Sequence, residues 1–179
     1  MDAKGCCLGD RILLRQTVFT MLRDIKPRLY QETIFNTAAQ RNTLVVLPTG
    51  LGKTVIALML AAQRLSFYPK SKILVLAPTK PLAEQHLNSF KKYIGLPESK
   101  FALFTGAVSP AERAELWDEA QIIIGTPQGI ENDVLGDKIS IENVSLLVFD
   151  EAHHATGDYS YCFMAKQYMK KARFPRILG

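Results

Sequence analysis

The sequence predicts an α/β domain built on a mostly parallel sheet, and three observations carry that prediction. Short β-branched runs alternate with longer helical stretches. Several of the runs are apolar at nearly every position, as strands covered by helices on both faces require. The 179 residues contain no internal repeat and no low-complexity linker, so they suit a single core. The expected strands are Thr43–Leu47, Lys72–Ala77, Phe101–Phe104, Gln121–Gly125, Ser145–Phe149 and Arg176–Leu178. Between them the expected helices are Lys53–Leu65, Pro81–Tyr93, Pro110–Glu119, Pro127–Leu135 and Tyr159–Ala172. One start is well signed, because Ser109, Pro110 and Glu112 supply an N-cap, a first-turn proline and the carboxylate of a capping box. The N-terminal stretch carries no comparable pattern. Asp10 can cap a helix from Arg11 to Leu22, so residues 1–22 are expected to form a helical arm or extension and 23–179 the domain.

Composition narrows the class. Apolar residues make up 47% and charged residues 22%, which excludes a disordered tail, a collagen-like fibre and a disulfide scaffold. The longest uninterrupted apolar run, Val55 to Ala62, falls far short of the roughly 20 residues of a membrane span. Cys6, Cys7 and Cys162 have no metal-ligand spacing, and an odd count argues against a disulfide framework. An intracellular protein is expected, cytoplasmic in a prokaryote and nuclear in a eukaryote. The net charge of +5 permits a polyanionic partner without demanding one.

The sharpest local signal is Pro48-Thr49-Gly50-Leu51-Gly52-Lys53-Thr54, directly after an expected buried strand, Thr43–Leu47, and opening a helix. A triphosphate crowds several negative charges onto a few oxygens. Gly50 and Gly52 let the backbone curl so that successive N–H groups point inward, with Thr49 and Leu51 contributing to the same cradle. The helix starting near Lys53 adds its positive dipole end. Lys53 can reach the outer phosphates of ATP, and the Thr54 hydroxyl can ligate Mg²⁺. Leu47 stands where the strict pattern has glycine, so a plain glycine-rich turn between strand and helix is the competing account. The Gly-x-Gly-Lys-Thr ending in a strand–loop–helix setting favours phosphate binding.

The second signal is Asp150-Glu151-Ala152-His153, at the carboxyl end of the run Ser145–Phe149. Parallel sheets bind ligands at that end, and the phosphate loop leaves its own strand at the same edge. Asp150 is placed to hold Mg²⁺ and Glu151 to orient and deprotonate the attacking water. Acids after a strand also serve as plain helix caps; the upstream phosphate loop favours the chemical reading. His153 has no obvious phosphate role and is assigned to coupling between the nucleotide and another surface.

Together these residues resemble the first motor domain of a superfamily 2 helicase of the DEAH/DExH type. Arg28-Leu29-Tyr30-Gln31 resembles the adenine-reading element, which makes Gln31 the expected base contact. Ala77-Pro78-Thr79-Lys80-Pro81-Leu82 resembles motif Ia, and Phe104-Thr105-Gly106 and Gly125-Thr126-Pro127-Gln128 resemble motifs Ib and Ic. The phrasing is most similar to the archaeal Hef and Fanconi-anaemia M-type branch of DNA-fork helicases. Glu131-Asn132-Asp133 and Gly157-Asp158-Tyr159 add to the match, and Leu47 is then a habit of that branch. The resemblance covers roughly Met21 to Gly179 and implies a three-layer RecA-like fold of the P-loop NTPase kind. Met21 sits where such proteins tend to begin, so translation is expected to start there.

The resemblance further implies a backbone-gripping face formed by motifs Ia, Ib and Ic, opposite the nucleotide-proximal loops. Thr79, Thr105 and Thr126 each follow an apolar run, Lys80 adds a charge and Gly106 an open backbone. Their hydroxyls and nearby N–H groups can bond phosphate oxygens of DNA, although threonine is equally at home as a turn or cap residue. The expected partners are forked or branched DNA, a second RecA-like domain and a downstream nuclease domain; a membrane is not expected. The chain ends at Ile177-Leu178-Gly179, within the strand expected before motif III. Without a closing domain and its arginine fingers, slow hydrolysis and no unwinding are expected. The competing functional readings are a duplex-RNA helicase of the Dicer-like and RNA-sensor branch, and a non-catalytic binding fragment.

Overall fold

A computed structural model describes residues 21–48, 50–156 and 159–179. The helix expected from Arg11 to Leu22, the N-terminal cysteine pair and the expected contribution of Thr49 fall wholly or partly outside the described residues.

Among the described residues, six α-helices and five strands follow one another as α1 (Leu29–Gln40), α2 (Lys53–Phe67), β1 (Lys72–Leu76), α3 (Lys80–Tyr93), β2 (Phe101–Phe104), α4 (Pro110–Glu119), β3 (Ile122–Gly125), α5 (Pro127–Leu135), β4 (Val144–Phe149), α6 (Ser160–Lys171) and β5 (Ile177–Leu178). The strand order is β2-β3-β1-β4-β5. Every neighbouring pair is parallel, so all carboxyl ends share one edge. Alternation along each strand divides the core in two. Ile73, Val75, Ile122, Ile124, Leu146 and Val148 face α2 and α3 on one side. Leu74, Leu76, Ile123, Leu147 and Phe149 face α4, α5 and α6 on the other, around Trp117, Ile130, Tyr161 and Tyr168. Helices therefore cover β1, β3 and β4 on both faces, and the continuous apolar character of those strands follows from it.

Three local expectations change. The helix α1 is not among the expected helices, although the Arg28–Gln31 element lies at its start. It is polar on much of its surface and buries only Gln31 and Ala38 fully, so its periodicity is faint. Thr43–Leu47 is not a buried strand. It runs beside β5, with Thr43 N–H donating to Ile177 O (3.0 Å), Val45 N–H to Gly179 O (2.7 Å) and Gly179 N–H to Thr43 O (3.0 Å). Among the described residues this places it outermost in the sheet, where Leu44 and Val46 are 68% and 85% exposed. Apolar content alone does not reveal that a strand lacks a neighbour. Leu22, assigned to the extension, packs into the core and bridges Ile94.

Candidate functional site

The phosphate loop connects the outermost strand segment to α2, and its glycines are there for a conformational reason. Gly50 and Gly52 have φ of 83° and 74°, the left-handed region that costs other L-residues roughly 1–2 kcal/mol. Gly52 is the N-cap of α2, so the loop turns sharply into the helix. A β-carbon there would also collide with Gln31 Nε2.

Gln31 holds this turn from beneath. Its Oε1 accepts from the Arg28 main-chain N–H (2.8 Å), closing the start of α1. Its Nε2 donates to Leu51 O (3.2 Å) and Gly52 O (3.4 Å). The Tyr30 hydroxyl donates to Leu51 O as well (2.7 Å). The element expected to read adenine is thus clasped to the phosphate loop, and Tyr30 is a partner that motif spacing alone did not single out.

The acids stand where β4 ends. Asp150 N–H donates to Leu76 O (2.8 Å), which continues the β1–β4 ladder one residue past the strand. Glu151 then takes φ 51°, ψ 50°, turning the chain into a short 3₁₀ turn, Ala152–His154. Gly50, Gly52, Lys53, Thr54, Asp150, Glu151 and His153 all line one cleft of about 520 Å³. Lys53 Nζ donates to Leu47 O (3.3 Å), so its ammonium lies folded over its own loop. Glu151 Oε2 lies 3.3 Å from His153 Nδ1, and His153 is mostly exposed.

Asp150 has a further neighbour that sequence reasoning missed. His86, on α3, brings Nε2 to 2.8 Å from Asp150 Oδ2. Burial pushes the Asp150 carboxyl up, but the His86 hydrogen bond and charge, the Glu151 main-chain N–H and Lys53 together outweigh it. The net result holds the group below the ordinary carboxylate value, so it stays ionised. Tyr161 closes the other side, its hydroxyl lying 2.8 Å from Asp150 O and 3.1 Å from Leu76 O. Burial raises the Tyr161 phenol strongly, which keeps it a donor. Neither partner leaves a local signal, because His86 lies 64 positions from Asp150 and Tyr161 belongs to a different helix.

The residues assigned to nucleic acid are distributed along the same carboxyl edge. They do not form an opposite face, because a parallel sheet delivers every strand end to one side. Their separation from the acids is lateral, toward β2 and β3. Thr79 and Thr126 are N-cap residues of α3 and α5, yet neither side chain makes a cap hydrogen bond. Ser109, by contrast, does accept from Glu112 N–H, as the capping signature requires. Lys80 and Gly106 are exposed, whereas Thr105 is only 2% exposed. At that strand end the accessible group is therefore the Gly106 backbone rather than the Thr105 hydroxyl.

A Thr54 hydroxyl and an ionised Asp150 carboxylate bordering one cleft form an all-oxygen donor pair. Mg²⁺ takes such pairs while keeping waters and phosphate oxygens in its remaining positions, so the residues fit that ion. Among the described residues, no helix is long and apolar enough to cross a membrane.

Comparison with known proteins agrees with this geometry. The family described as DEAD/DEAH box helicase matches residues 28–176. The Drosophila melanogaster protein named DEAD-box ATP-dependent DNA helicase Fancm is 40% identical over 156 residues, 85% of this chain and 10% of that protein. The Arabidopsis thaliana protein named DEAD-box ATP-dependent RNA helicase FANCM is 39% identical over 152 residues, 85% of this chain and 11% of that protein. The crystal structure of the Pyrococcus furiosus Hef helicase domain superposes with a TM-score of 0.83 at 52% identity, covering 86% of this chain and 32% of that one. The chain thus spans about a tenth of the length of these two curated relatives. The expected RecA-like architecture agrees with the solved domain.

Proposed function

This chain belongs to the DEAD/DEAH box helicase family, and we propose that it is the nucleotide-binding motor half of an ATP-dependent helicase or translocase acting on forked or branched DNA. The observation that carries the reading is the convergence of Lys53, Thr54, Asp150 and Glu151 on one cleft at the carboxyl edge of a parallel sheet. Loop N–H groups and the start of α2 receive the phosphates, and Lys53 swings from Leu47 O to the outer ones. Thr54 and Asp150 would hold Mg²⁺, which would supply charge neutralisation to the phosphate oxygens when bound. Glu151 orients and accepts a proton from the attacking water. Gln31 contacts the base, and His153, beside Glu151, couples the site to another surface. Thr79, Lys80, Gly106 and Thr126 bind backbone phosphates, with Thr105 seating the strand end beneath Gly106. Contacts of this kind read no bases, so binding is sequence-tolerant and steeply salt-dependent.

The DNA in the Drosophila protein's name supports DNA; the RNA in the Arabidopsis protein's name supports the competing substrate. Competition between a DNA fork and duplex RNA for the longer protein decides between them. Turnover needs a second RecA-like domain to close the cleft and supply arginine fingers, which are worth ~10³–10⁵ in rate. The isolated chain is therefore expected to bind ATP–Mg²⁺ weakly, hydrolyse it slowly and leave duplexes intact. Titration with a fluorescent ATP analogue tests the reading. Lys53→Ala should lose nucleotide binding and any nucleotide effect on DNA affinity. Robust DNA-stimulated hydrolysis by this chain alone contradicts the half-motor reading, and nucleotide binding untouched by Lys53→Ala contradicts the site.

A further inference from the structure

Resting on that motor reading, we propose that His86 is a positioning residue for Asp150, and that α3 thereby links grip on a nucleic-acid backbone to the acid that holds the metal. One helix carries both ends of the link. Thr79 and Lys80 stand exposed at its start. His86 follows six residues after Lys80, about 9 Å along the axis at the usual helical rise. Ala83 and Phe90, both fully buried, seat the helix on the sheet between and beyond these points. A displacement at Lys80 is therefore passed to His86 by a rigid, packed element, not by a loop.

The contact at the far end is direct and shielded. His86 and Asp150 have side chains only 16% and 21% exposed, at 2.8 Å. An ionised carboxylate can only accept, so His86 Nε2 donates and the imidazole tautomer is fixed by the contact. Donation to Oδ2 sets the rotation of the carboxyl group while leaving acceptor capacity for a cation. Hydrogen-bond partners of metal-ligating groups typically govern metal affinity 10- to 100-fold. Loss of a purely stabilising contact would instead lower the melting temperature and leave the coupling between the two ligands unchanged.

The test uses this chain, a fluorescent ATP analogue with and without Mg²⁺, and a labelled single-stranded oligodeoxynucleotide. In the wild type, oligonucleotide and Mg²⁺–nucleotide are expected to change each other's affinity by one common factor, as linkage demands. His86→Ala should raise the Mg²⁺ needed for half-maximal nucleotide binding roughly 10- to 100-fold and abolish the common factor. Its metal-free nucleotide affinity and nucleotide-free oligonucleotide affinity should stay close to wild type. His86→Gln, whose amide N–H can still donate, should restore both properties in part, and it keeps the test open if the alanine variant folds poorly. An unchanged common factor in His86→Ala, or an equal loss in every binding mode, overturns the proposal. A wild type that binds nucleotide but couples it to no oligonucleotide also overturns it. A wild type that binds no nucleotide at all removes the motor reading itself, so the two failures are distinguishable.

Discussion

Arg113 on α4 grips Asp133 on α5 through two parallel hydrogen bonds, Nε to Oδ2 at 2.5 Å and Nη2 to Oδ1 at 2.8 Å. Both side chains are almost fully shielded, at 7% and 1% exposure. The Asp133 carboxylate raises the Arg113 guanidinium, overcoming the opposing effect of burial. The third nitrogen donates to Val108 O, in the loop that follows Gly106. One fork therefore ties together α4, α5 and the β2–α4 loop, the ground on which the expected backbone contacts Gly106 and Thr126 stand.

Breaking this pair from one side leaves a buried charge unpaired, at a cost of about 3–5 kcal/mol. Arg113→Ala and Asp133→Ala should each lower the melting temperature by about 10 °C. The double variant Arg113→Met with Asp133→Leu should recover much of that loss. Thermal denaturation followed by circular dichroism measures all three.

Gly52→Ala combines two penalties, a left-handed φ of 74° and a collision with Gln31 Nε2. The loop must shift and the Gln31 clasp must open. Nucleotide affinity should fall at least as far as in Gln31→Ala, while Gly50→Ala, where a β-carbon meets nothing, should cost only the strain of φ. Parallel titrations of the three variants with a fluorescent ATP analogue give the ranking.

Tyr161→Phe removes the hydroxyl shared between the carbonyls of Asp150 and Leu76. Both acceptors are enclosed, so the loss should be about 1–3 kcal/mol. The same change frees the Asp150 backbone, and Mg²⁺-dependent nucleotide binding should weaken more than metal-free binding. Urea denaturation and the two titrations separate the structural effect from the local one.

Asp150 also sets a pH dependence. Its folded-state pKa is depressed below 3.8, with burial opposing and His86, Glu151 N–H and Lys53 prevailing. Near that value the unfolded chain binds the proton first. The contribution to stability is therefore present above the unfolded pKa and is lost as pH falls through the folded one. Asp150→Asn should flatten the acid limb of a stability curve taken between about pH 6 and pH 3. A curve parallel to wild type in that window contradicts the assignment.

The parts of the molecule that were legible beforehand are those encoded locally. The glycines of the phosphate loop, the Asp150-Glu151 pair after β4 and the proline-opened helices α4 and α5 are local patterns, and each is found where spacing put it. The helix α1 was missed because β-branched and polar residues such as Thr33, Thr37 and Gln40 blur its apolar stripe. The segment Thr43–Leu47 was read as buried because nothing in an apolar run records how many strands flank it. His86 and Tyr161 were invisible for a different reason: how helices pack on the sheet sets their partners, 64 positions away for His86 with Asp150 and 85 for Tyr161 with Leu76.

The left-handed backbone of Glu151 has a consequence for how evolution can use this position. With φ at 51°, any residue with a β-carbon stands at a cost there, and glycine stands at almost none. A Glu151→Gly variant should therefore be more stable than the parent by on the order of 1 kcal/mol, and chemically empty. Selection for robustness alone would discard the carboxylate. The water-activating role proposed for Glu151 accounts for a carboxylate kept against that gradient.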